Sequence, residues 1–116
     1  MRDIRQGEVY WLDLGPTTGS SPAEQHPCVV VQSDLFNQSL IGTTVVCLIT
    51  FNLNRGLAPG NVVLKKGDAN LRKTSVVNVS QVATVDKAEL MDRIGLLPAR
   101  TIEAIRSGLQ LLFDRP

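Results

Sequence analysis

At 116 residues, 43% of them apolar and 20% charged, the chain has the length of one domain and the composition of an ordinary globular protein. Its 12 Lys and Arg against 11 Asp and Glu leave a net charge of +1, too balanced to mark a nucleic-acid binder by charge alone. A chain this short buries only about two-thirds of its unfolded surface, so an oligomer that shares apolar surface is expected.

GEVYWLDL (7–14) comes first, with Tyr10, Leu12 and Leu14 alternating against Val9, Trp11 and Asp13. A period of two marks a strand, and Trp11, mid-strand beside Tyr10, is assigned to the core. GPTTGSSPAEQHP is too long and too rich in Gly, Pro, Ser and Thr for a tight turn, and predicts a mobile loop. CVVVQS (28–33) is the second strand; DLFNQSLIG leads onward, with Asp34 and Asn37 as turn formers. TTVVCLIT (43–50), almost uniformly apolar and β-branched, predicts a central strand. After the loop FNLNRGLAPG come NVVLK (61–65), the turn KGDANLRK and SVVNVSQVATV (75–85). Val77, Val79 and Val82 obey no single alternation there, which predicts a bulge or a sharp bend.

DKAELMDRIG then predicts a short helix ended by Gly95. In LLPARTIEAIRSGLQLLFDRP, Ile102, Ile105, Leu109 and Leu112 form one helical stripe, with Pro98 suited to the first turn. Gly108 inside that helix costs up to about 1 kcal/mol relative to Ala, so packing has to hold the helix together. Strands followed by a helix argue for a single α+β domain over 1–116, mainly β: a small curled barrel capped by a C-terminal helix.

The chemistry available is narrow. There is no Gly-rich phosphate loop with Lys and Ser or Thr, no nucleophile elbow and no pair of CxxC motifs. One His and two unclustered Cys cannot supply a tetrahedral zinc site, and no cofactor is implied. Cys28 and Cys47 sit in apolar runs and read as buried thiols of a reducing compartment, bridged only if their strands are neighbours. The N-terminus MRDIRQGEVYW lacks the apolar region of a signal peptide. No apolar run approaches the ~18–20 residues that span a bilayer, so a soluble cytoplasmic protein is expected. Acid–base work near neutral pH falls to His26, the single histidine. The competing reading of His26 is a polar residue at a strand start, held extended by Pro27. Lys65, Lys66, Arg72 and Lys73, opposed only by Asp68, form either a solvated hairpin edge or a phosphate-contacting patch. Trp11 and Phe36 are candidate platforms for a base.

Four stretches in this order, GEVYWLDLGPTTGS, HPCVVVQSD, VVCLIT and TSVVNVSQVATVDKAEL, resemble the MazF–PemK toxins over residues 6 to 112. The resemblance implies a homodimeric SH3-like or CcdB-like barrel acting as a metal-independent mRNA interferase on single-stranded RNA. It implies attack of a ribose 2′-hydroxyl on the adjacent phosphorus, leaving 2′,3′-cyclic phosphate and 5′-hydroxyl ends. It also implies neutralisation by an antitoxin, here one with a disordered acidic segment suited to the basic 65–73 stretch.

By the same resemblance Thr50 matches the family Thr that contacts the scissile phosphate. Ser75 and Gln81 match polar positions of the late strand and are candidate RNA contacts. His26 stands where the family has a catalytic Arg. An imidazole can serve as base or acid but lacks the guanidinium fork; Arg55 or Arg72 would then supply that charge, with Lys73 beside them. Glu24, two residues before His26, is either a second acid–base partner or a solvated loop charge. Two further readings stay open: a family member that binds RNA or an antitoxin without cutting, and a poison of a protein target such as gyrase. FDRP at the C-terminus does not resemble the ending that the last activity uses.

Overall fold

The computed structural model describes residues 2–13 and 25–115. The strands among them are β1 (Glu8–Asp13), β2 (Gln25–Val30), β3 (Thr43–Thr50), β4 (Val62–Leu64), β5 (Ser75–Asp86) and β6 (Leu90–Leu96), with helices α1 (Asp34–Asn37) and α2 (Ala99–Phe113). All pair antiparallel in one curled sheet of order β4-β5-β3-β2-β1-β6. The barrel with a terminal helix expected from the sequence is therefore present, and β3 is central. No described helix is long and apolar enough to cross a membrane.

Alternation puts a core on each face of the sheet. Val9, Val29, Cys47, Ile49, Val77 and Val79 point to one side, where Ile105 of α2 closes over them with Ile102 and Leu109 alongside. Tyr10, Leu12, Cys28, Val30 and Val46 point to the other, packed with Ile4, Val85 and Leu90. The two thiols are thus on opposite faces of neighbouring strands and are free. Burial raises Cys28 to about 12 and Cys47 to about 11, because a thiolate loses its hydration there.

The predicted disruption in β5 is real. Leu48 pairs with Asn78 but the adjacent Cys47 pairs with Val82, so Val79, Ser80 and Gln81 bulge out of the ladder. Behind the bulge, α2 approaches so closely that a Cβ on Gly108 would lie 2.1 Å from the Gly60 carbonyl oxygen. This contact is why a glycine is retained inside the helix.

Two elements differ from the sequence reading. DKAELMDRIG is not a helix ended by Gly95: Lys87–Glu89 make one 3-10 turn and the rest is β6, an edge strand on β1. Gly95 is a packing glycine, since a Cβ there would meet the Ala69 carbonyl oxygen at 2.4 Å. The second strand starts earlier than expected, at Gln25, which brings His26 into the sheet opposite Leu12.

Candidate active site and nucleic-acid interface

Pro27, opposite Trp11 on β1, keeps the chain extended through His26. On the other side of β2, the pairs Val30–Val46, Val29–Cys47 and Cys28–Leu48 fix the register. The ladder between these strands ends at Cys28–Leu48; the same register continued by two residues would set His26 opposite Thr50. Residues directly opposite on antiparallel strands hold their Cβ atoms about 4.5–5.5 Å apart, so both side chains can reach one phosphate. They share the sheet face of Leu12 and both are half-buried. Cys28, next on that face, is fully buried with a thiol raised to about 12, which removes it as a nucleophile.

Thr50 ends β3 at a bend. Its hydroxyl oxygen accepts the Asn52 amide N–H at 3.1 Å, which fixes the rotor and leaves the O–H proton to donate outward. Asn52 accepts in turn from the Asn54 amide at 3.2 Å, opening the 3-10 turn Leu53–Leu57 that carries Arg55 on its exposed side. Asn61 clamps this turn to the β5 bulge. Its side-chain amide donates to the Arg55 carbonyl at 2.9 Å, and its carbonyl oxygen accepts the bulged Val79 amide at 2.9 Å. Gln81, exposed on the bulge, accepts from the buried Asn78 side chain at 3.0 Å.

Ser75 is fully buried and its hydroxyl donates to the Lys73 carbonyl at 2.8 Å. Its role is to hold the backbone of its basic neighbour. Arg72 and Lys73 are exposed and line a groove of about 630 Å³ with Trp11, Phe51, Asp92 and Arg93. Trp11, assigned to the core from its position, is only half-buried and forms part of this wall. The Lys73 ammonium sits 5.2 Å from the centre of the Phe51 ring. Glu24 and the expected loop around it lie outside the described residues.

Sequence reasoning missed Asn61, Phe51 and the cluster beneath β1. In that cluster, buried Glu8 accepts from the Arg93 guanidinium at 2.6 Å and from the Tyr10 hydroxyl at 3.1 Å. Burial, followed by the Glu8 charge and its hydrogen bond, pushes Tyr10 up to about 12. The only available signal was Glu8 at an inward position of a strand, an acid that needs a partner once buried. Among the described residues no three His, Cys, Asp or Glu side chains converge to hold a metal ion.

A curled six-stranded antiparallel sheet with a helix on one face makes a small barrel-like fold. Residues 5–113 match the family described as PemK-like, MazF-like toxin of type II toxin–antitoxin system. Endoribonuclease MazF2 of Mycobacterium bovis is 40% identical over 111 residues, covering 96% of this chain and 97% of the relative. Endoribonuclease MazF of Staphylococcus saprophyticus is 30% identical over 108 residues, covering 93% and 89%. A mycobacterial endoribonuclease solved in complex with its cognate antitoxin superposes with a TM-score of 0.76 at 26% identity, covering 97% of this chain and 99% of that one. MazF of Deinococcus radiodurans, from a MazE–MazF crystal structure, shares the fold with a TM-score of 0.77 at 21% identity, covering 97% and 96%. The chain belongs to the PemK-like, MazF-like toxins of type II toxin–antitoxin systems.

Proposed function

We propose that this single-domain toxin is a sequence-specific endoribonuclease that cuts single-stranded RNA without a metal ion or cofactor. The observation that carries the reading is the β2–β3 register, whose last pair is Cys28–Leu48 and which, continued by two residues, would set His26 opposite Thr50. His26 takes the proton from the ribose 2′-hydroxyl, and the freed oxygen attacks the adjacent phosphorus. The Thr50 hydroxyl donates to a non-bridging phosphate oxygen and holds the phosphate in line. As the P–O5′ bond breaks, solvent water gives a proton to the departing 5′-oxygen and the resulting hydroxide is neutralised by the proton held on His26, giving 2′,3′-cyclic phosphate and 5′-hydroxyl ends. An imidazole does not reproduce a bidentate guanidinium on the phosphorane. Arg55, on the turn directly after Thr50, is the group placed to supply that charge.

The working form is a cytoplasmic homodimer. Leu53, Leu57 and Val63 are 53%, 91% and 54% exposed around the turn beside Thr50, apolar area that a second copy would cover. The antitoxin presents a disordered acidic segment to Lys65, Lys66, Arg72 and Lys73, all exposed. The relative solved with its cognate antitoxin supports this part of the reading.

The test is cleavage of a long unstructured RNA in EDTA, with end-group mapping of the products. Cyclic phosphate ends from the parent, absent with Thr50→Ala, are the expected result. Cleavage that needs added magnesium, or that survives Thr50→Ala unchanged, refutes the site. Cutting by His26→Arg but not by the parent would make this chain a binding member of the family.

A further inference from the structure

We infer that the groove between Trp11 and Phe51 is a base-stacking pocket for the RNA nucleotide next to the scissile phosphate, so that these two rings set sequence preference at that position. The inference rests on the nuclease reading and adds to it a site for a nucleobase. Both rings are tied to the reacting pair by the chain itself. Phe51 directly follows Thr50, and Trp11 pairs with Pro27 beside the Leu12–His26 pair. Phe51 lies one residue beyond the end of β3, and Trp11 alternates with Leu12 along β1, so the groove opens at the strand ends. A nucleotide whose phosphate lies on Thr50 can turn its base over that end into the groove.

The chemistry of the wall favours a base over other occupants. Phe51 is 43% exposed. One side of that ring is occupied by the Lys73 ammonium, and a cation on an aromatic face polarises it for stacking. Trp11 supplies a second surface, only half-buried. A groove of about 630 Å³ lies within the range of about 300–1,000 Å³ typical of small-ligand sites. Arg72, Lys73 and Arg93 make it positive, but Asp92 stands in the same wall and Glu8 already neutralises Arg93. A carboxylate at that place repels phosphate and tolerates a base, whose edge carries donors. Ser75 buries its hydroxyl on the Lys73 carbonyl, which holds the backbone from which the ammonium reaches the ring.

Trp11 is the single tryptophan of the chain, so its emission reports the pocket directly. The probe is a randomised-sequence 2′-O-methyl RNA nonamer, which cannot be cut because the attacking hydroxyl is blocked. Titration into the full-chain protein should quench the indole as a base stacks on it. Phe51→Ala should weaken binding by about 5- to 150-fold, the loss expected for one stacked base, and Phe51→Tyr should restore it. Phe51→Ala should also change the distribution of cut sites in a long RNA at the nucleotide flanking the break. Unchanged affinity and cut sites in a folded Phe51→Ala protein that still cleaves would overturn the pocket and leave the nuclease standing. Quenching by an antitoxin-derived acidic peptide but not by the nonamer would make the groove a protein-docking site and overturn the inference equally. Absence of both cleavage and nonamer binding in the parent would remove the nuclease reading, and this one with it.

Discussion

Gly108→Ala sets two effects of known sign against each other. In an exposed helix the change would add about 1 kcal/mol, because Gly is the costlier residue by that amount. Here the new methyl would sit 2.1 Å from the Gly60 carbonyl oxygen, 3.0 Å from its carbonyl carbon and 3.2 Å from a Val79 methyl. Carbon contacts are comfortable at about 3.5–4.0 Å, so α2 has to lift by about 1 Å or more. The obstacle is backbone rather than a side chain that can swing aside, which puts the overpacking cost at the upper end of about 1–3 kcal/mol. The lift also pulls Ile105, 2% exposed, off the core beneath it. Net destabilisation of about 2 kcal/mol should lower the melting temperature by roughly 10 °C. Ser107→Ala, exposed on the same helix, is the propensity control and should be neutral or slightly stabilising. Thermal unfolding at one fixed protein concentration reads both variants. A Gly108→Ala protein as stable as its parent would refute the claim that close approach to Gly60 requires this glycine.

Asn61→Ala strands the buried, bulged Val79 amide and should cost about 2–4 kcal/mol in chemical denaturation; Asn61→Asp keeps the acceptor and should cost about half as much. Equal losses in the two would mean the bulge does not depend on that hydrogen bond. Cys28 and Cys47, raised to about 12 and about 11 by burial, should ignore a thiol reagent at about pH 8 in the native protein and react fully in denaturant. Fast native labelling of either would contradict its placement. Tyr10 is the single tyrosine, and its phenol, raised from the usual 10.0 to about 12, should titrate late by ultraviolet absorbance. Since the folded value is the higher one, ionisation favours the unfolded chain: that stability is intact below about pH 10 and is lost as pH rises through about 12. A phenol titrating at its ordinary value in the folded protein would dissolve the Glu8–Tyr10 contact.

Alternation made β1 legible in the sequence, an unbroken apolar and β-branched run did the same for β3, and three valines out of phase exposed the β5 bulge. What failed was local reasoning about glycine. Gly95 looks like a helix stop only until Ala69, distant in sequence, is seen pressed against its Cα. Gly108 looked like a weakness in α2 until Gly60 supplied the reason for it. The site divides in the same way. His26 and Thr50 stand in motifs that make them candidates, whereas their alignment turns on the β2–β3 register, whose last pair is Cys28–Leu48. Phe51, Trp11 and Lys73 are separated along the chain and meet only when the sheet curls, so no spacing rule could have joined them. Ser75 is buried opposite Leu64 of β4, a placement that a polar residue in a strand does not announce. Arg55 and Gln81 were picked as free-standing candidates, while Asn61, which holds both of their segments, has no motif of its own.

The most direct measurement is single-turnover RNA cleavage in EDTA for the parent, His26→Ala and His26→Arg. With His26 as the base, His26→Ala should lose at least about 100-fold, the usual scale of an acid–base contribution. A His26→Ala protein that cuts at the parent rate would contradict the placement of His26 at the reacting phosphate.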